Sequence, residues 1–516
     1  MSTRDPRTGY FLKRWFAGNI FLAGLFALLW LLLRSGTRPS RLAYPCQQAA
    51  VTTASLAFGA PLVGALIAAR CLATRLIKNR RVLATAAVGL FATIGLWGFL
   101  SRSSASITSS STYGLLPPPG YRAEVFNVTD CPPDPVGDHF PGLDSLLRLM
   151  GEHDRKFYRS TTVSALSGPE GIISNDDVVV IKINYQWIMR GGTNTDLLRG
   201  LIRALVDHPD GFTGEVVVGE NAQFAPVQGF DREANNAQDR TLSPYDVVTS
   251  FQRQGFQVGL SNWGGFRNTR ATEGLSCDEG WGYVLVQSNS SGTISYPRFV
   301  SDYGTCVSLK HGVWDSDGGA WDRSRLKFIN LPVLKPHGNT YGVTACVKNF
   351  MGVVTTALTD AHEGVRGGVL GAVMADIGPP DLNILDCIWT YGYPSGGPNV
   401  GYSFTTRSDQ LVASTDPIAA DIWATSNILV PTFEANGYYK PWPHPDPDPE
   451  NPDSIFRGYL DRSMEKMINA GYAVTNDLES IDVYSSSAAI RRPAPRRPSG
   501  RVVAVRPDSK DETVQP

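Results

Sequence analysis

Residues 178–219 read VVVIKINYQWIMRGGTNTDLLRGLIRALVDHPDGFTGEVVVG, and the architecture can be inferred outward from them. The run 178–183 is apolar and β-branched with a single lysine, the pattern of a strand buried on both faces. Thr195-Asp196 then opens a helix, with Leu197, Leu198, Leu201, Ile202 and Leu205 at helical spacing. Val216, Val217 and Val218 form the next buried strand. Outward from this unit, 245–254 reads as a helix ended by Gly255, and 326–331 as a strand stopped by Pro332. Residues 384–389 and 410–414 read as two more strands. Asp416-Pro417 opens a further helix, with Asp as its cap and Pro at its first position. Strands alternating with helices predict an α/β domain with a mostly parallel sheet. Ligands of such sheets bind beyond the carboxyl ends of the strands, so the loops after Ile183, Gly219, Leu331 and Ser414 are where a site is expected.

The chain has 516 residues, a formal net charge of -1 and 18% charged residues. The neutral balance excludes a whole-chain basic footprint, so no nucleic-acid partner is expected. The charge content is below the usual figure of about 25%, and the deficit lies at the N-terminus. Segments 16–33, 49–69 and 82–100 are apolar and uncharged, about the length that crosses a bilayer as a helix. The first lacks the small-residue cleavage site of a signal peptide, so it reads as a retained anchor in the lipid bilayer. Four cations in the N-terminal tail and five in the loop 70–81 face three between the first two segments and Arg102 after the third. Positive-inside asymmetry then gives three spans, a cytoplasmic N-terminus and an extracytoplasmic C-terminal domain. The expected organisation is a membrane region 1–104, a Ser/Thr/Pro linker 105–120, a globular body 121–485 and a basic, Pro-rich, disordered tail 486–516.

The expected loops carry polar residues in apolar surroundings. Lys182 and Asn184 end the first strand, Glu220 ends the second, and Asp386 lies in a later one. These, with Asn349, are candidates to bind a small anionic substrate. The Gly191-Gly192 pair before a helix could also present backbone N–H groups to an anion, or be an ordinary turn. Lys335, His337 and Lys348 bring two ammonium groups and an imidazole into one stretch, the residue types of acid–base work. His337 with Asp360, His362 and Glu363 offers a mixed nitrogen and oxygen metal set. No cofactor is legible. Two functions compete: an enzyme acting on a small anion at the strand ends, and a non-catalytic binding or assembly factor with a redox or membrane-protein partner.

The motifs VVIKIN (179–184), NLPVLKPH (330–337), GVTACVKNFMG (342–352), DLNILD (381–386) and ASTDPIAAD (413–421) resemble the domain of unknown function 362, over about residues 176–429. That family has no settled reaction. Many members carry a ferredoxin-like cysteine cluster, which implies redox work or iron–sulfur and metal-protein maturation. This chain departs from the pattern, because its seven cysteines include no Cys-x-x-Cys. Cys277 with Cys306 is a candidate disulfide in an extracytoplasmic body, and Cys131 could pair too; sequence leaves the connectivity open.

Overall fold

The computed structural model describes Ala27 and residues 120–488, except 224–228, 274–275, 278–279 and 289–291. Its centre is an eight-stranded sheet. The strands in chain order are β1 (Ala123–Thr129), β2 (Val178–Lys182), β3 (Glu215–Glu220), β4 (Val258–Asn262), β5 (Leu326–Asn330), β6 (Leu382–Tyr391), β7 (Thr405–Ser414) and β8 (Ile481–Ser487). Across the sheet they lie in the order β8-β1-β7-β6-β5-β2-β3-β4. The α/β domain with a mostly parallel sheet is as the alternation predicts. Only β7 opposes its neighbours, pairing antiparallel with both β6 and β1.

The β2 run is uninterrupted because both its faces are covered. Val178 and Val180 pack into one core, with Leu326 and Phe328 of β5. Val179 and Ile181 pack into the other, with Ile329 and Ile384. The second core is closed by α1 (Pro141–Glu152), α2 (Thr195–Val206) and α3 (Pro244–Arg253). The first is closed by the short helix α4 (Cys346–Asn349) and by α5 (Val369–Ile377), α6 (Pro417–Ala424) and α7 (Ile455–Asn469). Asn194 caps α2 by accepting from Asp196 N and Leu197 N at 3.1 Å each. The edge strand β8 is polar and, after the buried Ile481, alternates half-buried with exposed residues, which suits a strand watered on one side.

Residues 270–322 hold a second, six-stranded sheet that the sequence reading did not anticipate. Its strands are mostly antiparallel, and Val284, Ile294, Tyr296 and Val307 join the first core. A disulfide joins Cys277 to Cys306 there, while Cys131, Cys346 and Cys387 are free and buried. Apart from Ala27, segments 16–33, 49–69 and 82–100 lie outside the described residues, as do the linker up to 119 and the tail from 489. Among the described residues no helix is long and apolar enough to cross a membrane.

Candidate functional site

The strands β2, β3, β5 and β6, or the loops after them, deliver residues to the same edge of the sheet. The loop after β2 supplies Asn184, Gln186 and Trp187, and β3 ends on Glu220. After β5 the chain turns at Leu331-Pro332 and makes a narrow antiparallel pair, Lys335 opposite Thr344 and Pro336 opposite Val343. His337, Tyr341 and Thr344 project from this pair and the turn joining it, and Lys348, Asn349, Met351 and Gly352 follow. The loop after β6 adds Ser395, Gly397 and Pro398, and His362 completes the lining. Together they enclose a cavity of about 370 Å³, within the roughly 300–1,000 Å³ of small-ligand sites. The loops after β2 and β6 are tied by a bridge between Met189 and Val400, and Gly338 N donates to Gly396 O at 2.7 Å.

Three of the four loops expected from the sequence meet here. The fourth, after Ser414, does not, because β7 runs antiparallel and its carboxyl end lies at the opposite edge. Its residues work at a distance instead. Asp416 caps α6, accepting from Ile418 N at 2.9 Å and Ala419 N at 3.0 Å. Asp421 accepts from Cys346 N at 2.6 Å and Val347 N at 3.0 Å, which fixes the turn that carries Lys348. A chain of buried asparagines braces the floor. Asn349 donates to Asn330 at 2.8 Å, Asn330 to Asn383 at 2.9 Å, and Asn383 to the Ser414 carbonyl at 3.1 Å. Asn330 and Asn383 were not singled out in the sequence, although an amide inside an apolar strand is a readable signal of such a link.

The three lysines are all buried, at 0% exposure for Lys182, 1% for Lys335 and 5% for Lys348. They differ in partners. Lys182 is ion-paired with Glu220 and also donates to the Ile183 carbonyl at 2.5 Å. Lys335 donates to the Gly191 carbonyl. Lys348 has neither a hydrogen-bond acceptor nor a counter-ion among the described residues; its Nζ lies 4.3 Å from the centroid of the Tyr341 ring. Of the three, Lys348 alone lines the cavity; Lys182 and Lys335 stand behind its wall.

Burial dominates the electrostatics. It lowers the Lys348 ammonium to about 7, with the Lys182 charge adding to the effect. Burial and the neighbouring Lys348 push Lys335 well down. His337 is pushed well below the usual histidine range by burial, then by Lys348 and Lys335, so its imidazole is neutral at pH 7. Its Nδ1 shares a hydrogen bond with Thr344 Oγ1 at 2.6 Å, and its ring meets Tyr341 edge-on, centroids 5.1 Å apart. Burial raises the Glu220 carboxyl and lowers the Lys182 ammonium.

Other nominated residues lie elsewhere. Asp386 is buried within β6, accepts from Asn236 at 2.6 Å and from Ile388 N at 3.0 Å, and does not line the cavity. Burial raises it to about 6. The metal set is not assembled. Among the described residues no group of three or more His, Cys, Asp or Glu could hold a metal ion. Asp360 and Glu363 are exposed, His337 is buried against Thr344, and His362 Nδ1 is 2.8 Å from the Tyr341 hydroxyl. In the Gly191-Gly192 turn both N–H groups are engaged, donating to Ile188 O and Met189 O at 3.1 Å each, and α2 is capped by its own Asn194. Tyr341, Trp187 and the 395–398 segment line the cavity without having been nominated. A second cavity, about 390 Å³, lies by the disulfide near the amino ends of β2, β3 and β5, and contains no nominated residue.

Residues 326–426 match the family model described as "Domain of unknown function (DUF362)", so the chain resembles that family across β5, β6, β7, α4, α5 and α6. The matched stretch holds the lysine–histidine and lysine–asparagine motifs and both acids of the 413–421 motif; the 179–184 motif precedes it. No curated protein and no solved structure matches the chain.

Proposed function

We propose that this protein is a membrane-anchored enzyme whose extracytoplasmic body binds a small anionic substrate in the cavity at the carboxyl ends of β2, β3, β5 and β6. One observation carries the reading: Lys348 puts a buried amine on the cavity with no counter-ion among the described residues. A buried cation left unpaired is costly, and an anion in the cavity removes that cost. Lys182, ion-paired with Glu220, and Lys335, bonded to the Gly191 carbonyl, stand behind the wall, where a bound anion would favour their protonated forms. His337, neutral, and Lys348, close to half-protonated near pH 7, are the acid–base pair in reach of a ligand. The apolar N-terminal segments and their flanking cations support the anchor and its orientation, and the Cys277–Cys306 disulfide suits an oxidising compartment.

The test is native mass spectrometry of the detergent-extracted full chain, compared with Lys348→Met and His337→Ala. A co-purifying or added small carboxylate or phosphate should bind the parent and be lost or weakened in both variants. Unchanged binding in both would move the site elsewhere. Bound metal in elemental analysis, without anion binding, would favour the assembly-factor reading instead.

A further inference from the structure

The three buried lysines are not equivalent, and the difference bears on chemistry. Lys182 and Lys335 each spend a proton on a fixed acceptor, Glu220 and the Gly191 carbonyl. Lys348 has no such acceptor among the described residues, and its Nζ lies against the face of Tyr341 on the cavity wall. The ring is itself held, its hydroxyl within 2.8 Å of His362 Nδ1. The backbone beneath is held too, because Asp421 takes the N–H groups of Cys346 and Val347. A fixed, desolvated amine beside other cations is the environment in which a lysine becomes a nucleophile rather than a mere charge.

From this geometry we infer that Lys348 forms a Schiff base with a 2-oxo acid, an inference that rests on the anion-binding reading of the same cavity. A 2-oxo acid joins the two features the site offers. Its carboxylate would favour the protonated forms of Lys335 and Lys182 behind the wall, and its carbonyl carbon presents an electrophile to Lys348 Nζ. The neutral amine's lone pair forms the C–N bond as the carbonyl π pair moves to oxygen, which takes a proton to give the carbinolamine. Loss of that hydroxyl, with a proton, as water leaves the C=N bond. Nothing is oxidised or reduced, and no co-reactant beyond solvent protons is required. The amine is available as the free base at neutral pH because burial and Lys182 hold its proton loosely, down to about 7.

The experiment uses the detergent-extracted full chain with pyruvate and, separately, 2-oxoglutarate, each with sodium cyanoborohydride, followed by peptide mapping. The expected result is a reduced adduct on Lys348, lost in Lys348→Arg. The mapping is made on the parent protein, so it decides the matter even if the variant fails to fold. Lactate, which keeps the carboxylate and lacks the carbonyl, separates the two readings through the thermal midpoint. If lactate or the oxo acids raise the midpoint and no adduct forms on Lys348, the covalent step is wrong and the anion pocket stands. If neither lactate nor either oxo acid shifts the midpoint and no adduct is trapped, both readings fall. Adducts confined to exposed lysines overturn the Schiff base as well.

Discussion

At the level of single residues, Lys348 makes a pH-dependent claim. Its ammonium sits near 7 in the fold and at the ordinary value of 10.5 when unfolded. Between those values the folded chain binds fewer protons than the unfolded one, so stability rises with pH across that window and is missing below it. Lys348→Met removes the cost of burying the charge. The variant should therefore be more stable than the parent at pH 7 and below, by about 2–5 kcal/mol, with the difference closing toward pH 10. Thermal midpoints of both proteins across that range test this. Buried groups that do not feel Lys348, such as Asp416 and Asp421, cancel in the comparison, whereas Lys335 and His337, relieved of its charge, shift upward in the variant; an unchanging gap would mean Lys348 stays protonated throughout. The nominated residues His337, Lys348, Asn184, Glu220, Asn349 and His362 do line the cavity, because polar residues at strand ends are legible in sequence. That Lys182 and Lys335 turn behind the wall was not legible, since a long side chain's direction depends on what surrounds it.

Between elements, one glycine of α5 and one of α7 should respond with opposite signs. A Cβ on Gly371 of α5 would run into the Ser463 backbone of α7, so the two helices touch only because that side chain is absent. Gly371→Leu should destabilise the body by about 1–3 kcal/mol or more. Gly458, inside α7, faces open space. Gly458→Ala should stabilise by about 0.5–1 kcal/mol, through helix propensity and a less free unfolded chain. Chemical denaturation of each variant measures both, and a neutral Gly371→Leu would mean the helices are farther apart than they stand here. Helices and buried strands were readable from their periods, and the Asp416 and Asn194 caps in particular are local. The reversed direction of β7 was not readable, and that reversal removes the loop after Ser414 from the site.

For the whole molecule, the disulfide and the proposed anchor must agree. If the body faces an oxidising compartment, protein isolated without reductant should keep Cys277 linked to Cys306, and peptide mapping should recover the joined pair. Alkylation of both cysteines without prior reduction would place the body on the reducing side. Cys277→Ser should cost about 2–4 kcal/mol, as loss of a crosslink frees the unfolded chain, and thermal unfolding would register it. Alternating elements, capped helices, uncharged N-terminal segments and polar strand ends can all be read along the chain, because each depends on neighbours within a turn or a strand. Long-range pairing alone settled the rest: the second sheet, the direction of β7, the Lys182–Glu220 pair and the exposure of Lys348 to the cavity. Those depend on residues far apart in the chain. Their register and burial exist only once both sheet faces are covered, and that burial is what lowers the cavity-lining Lys348 ammonium to about 7.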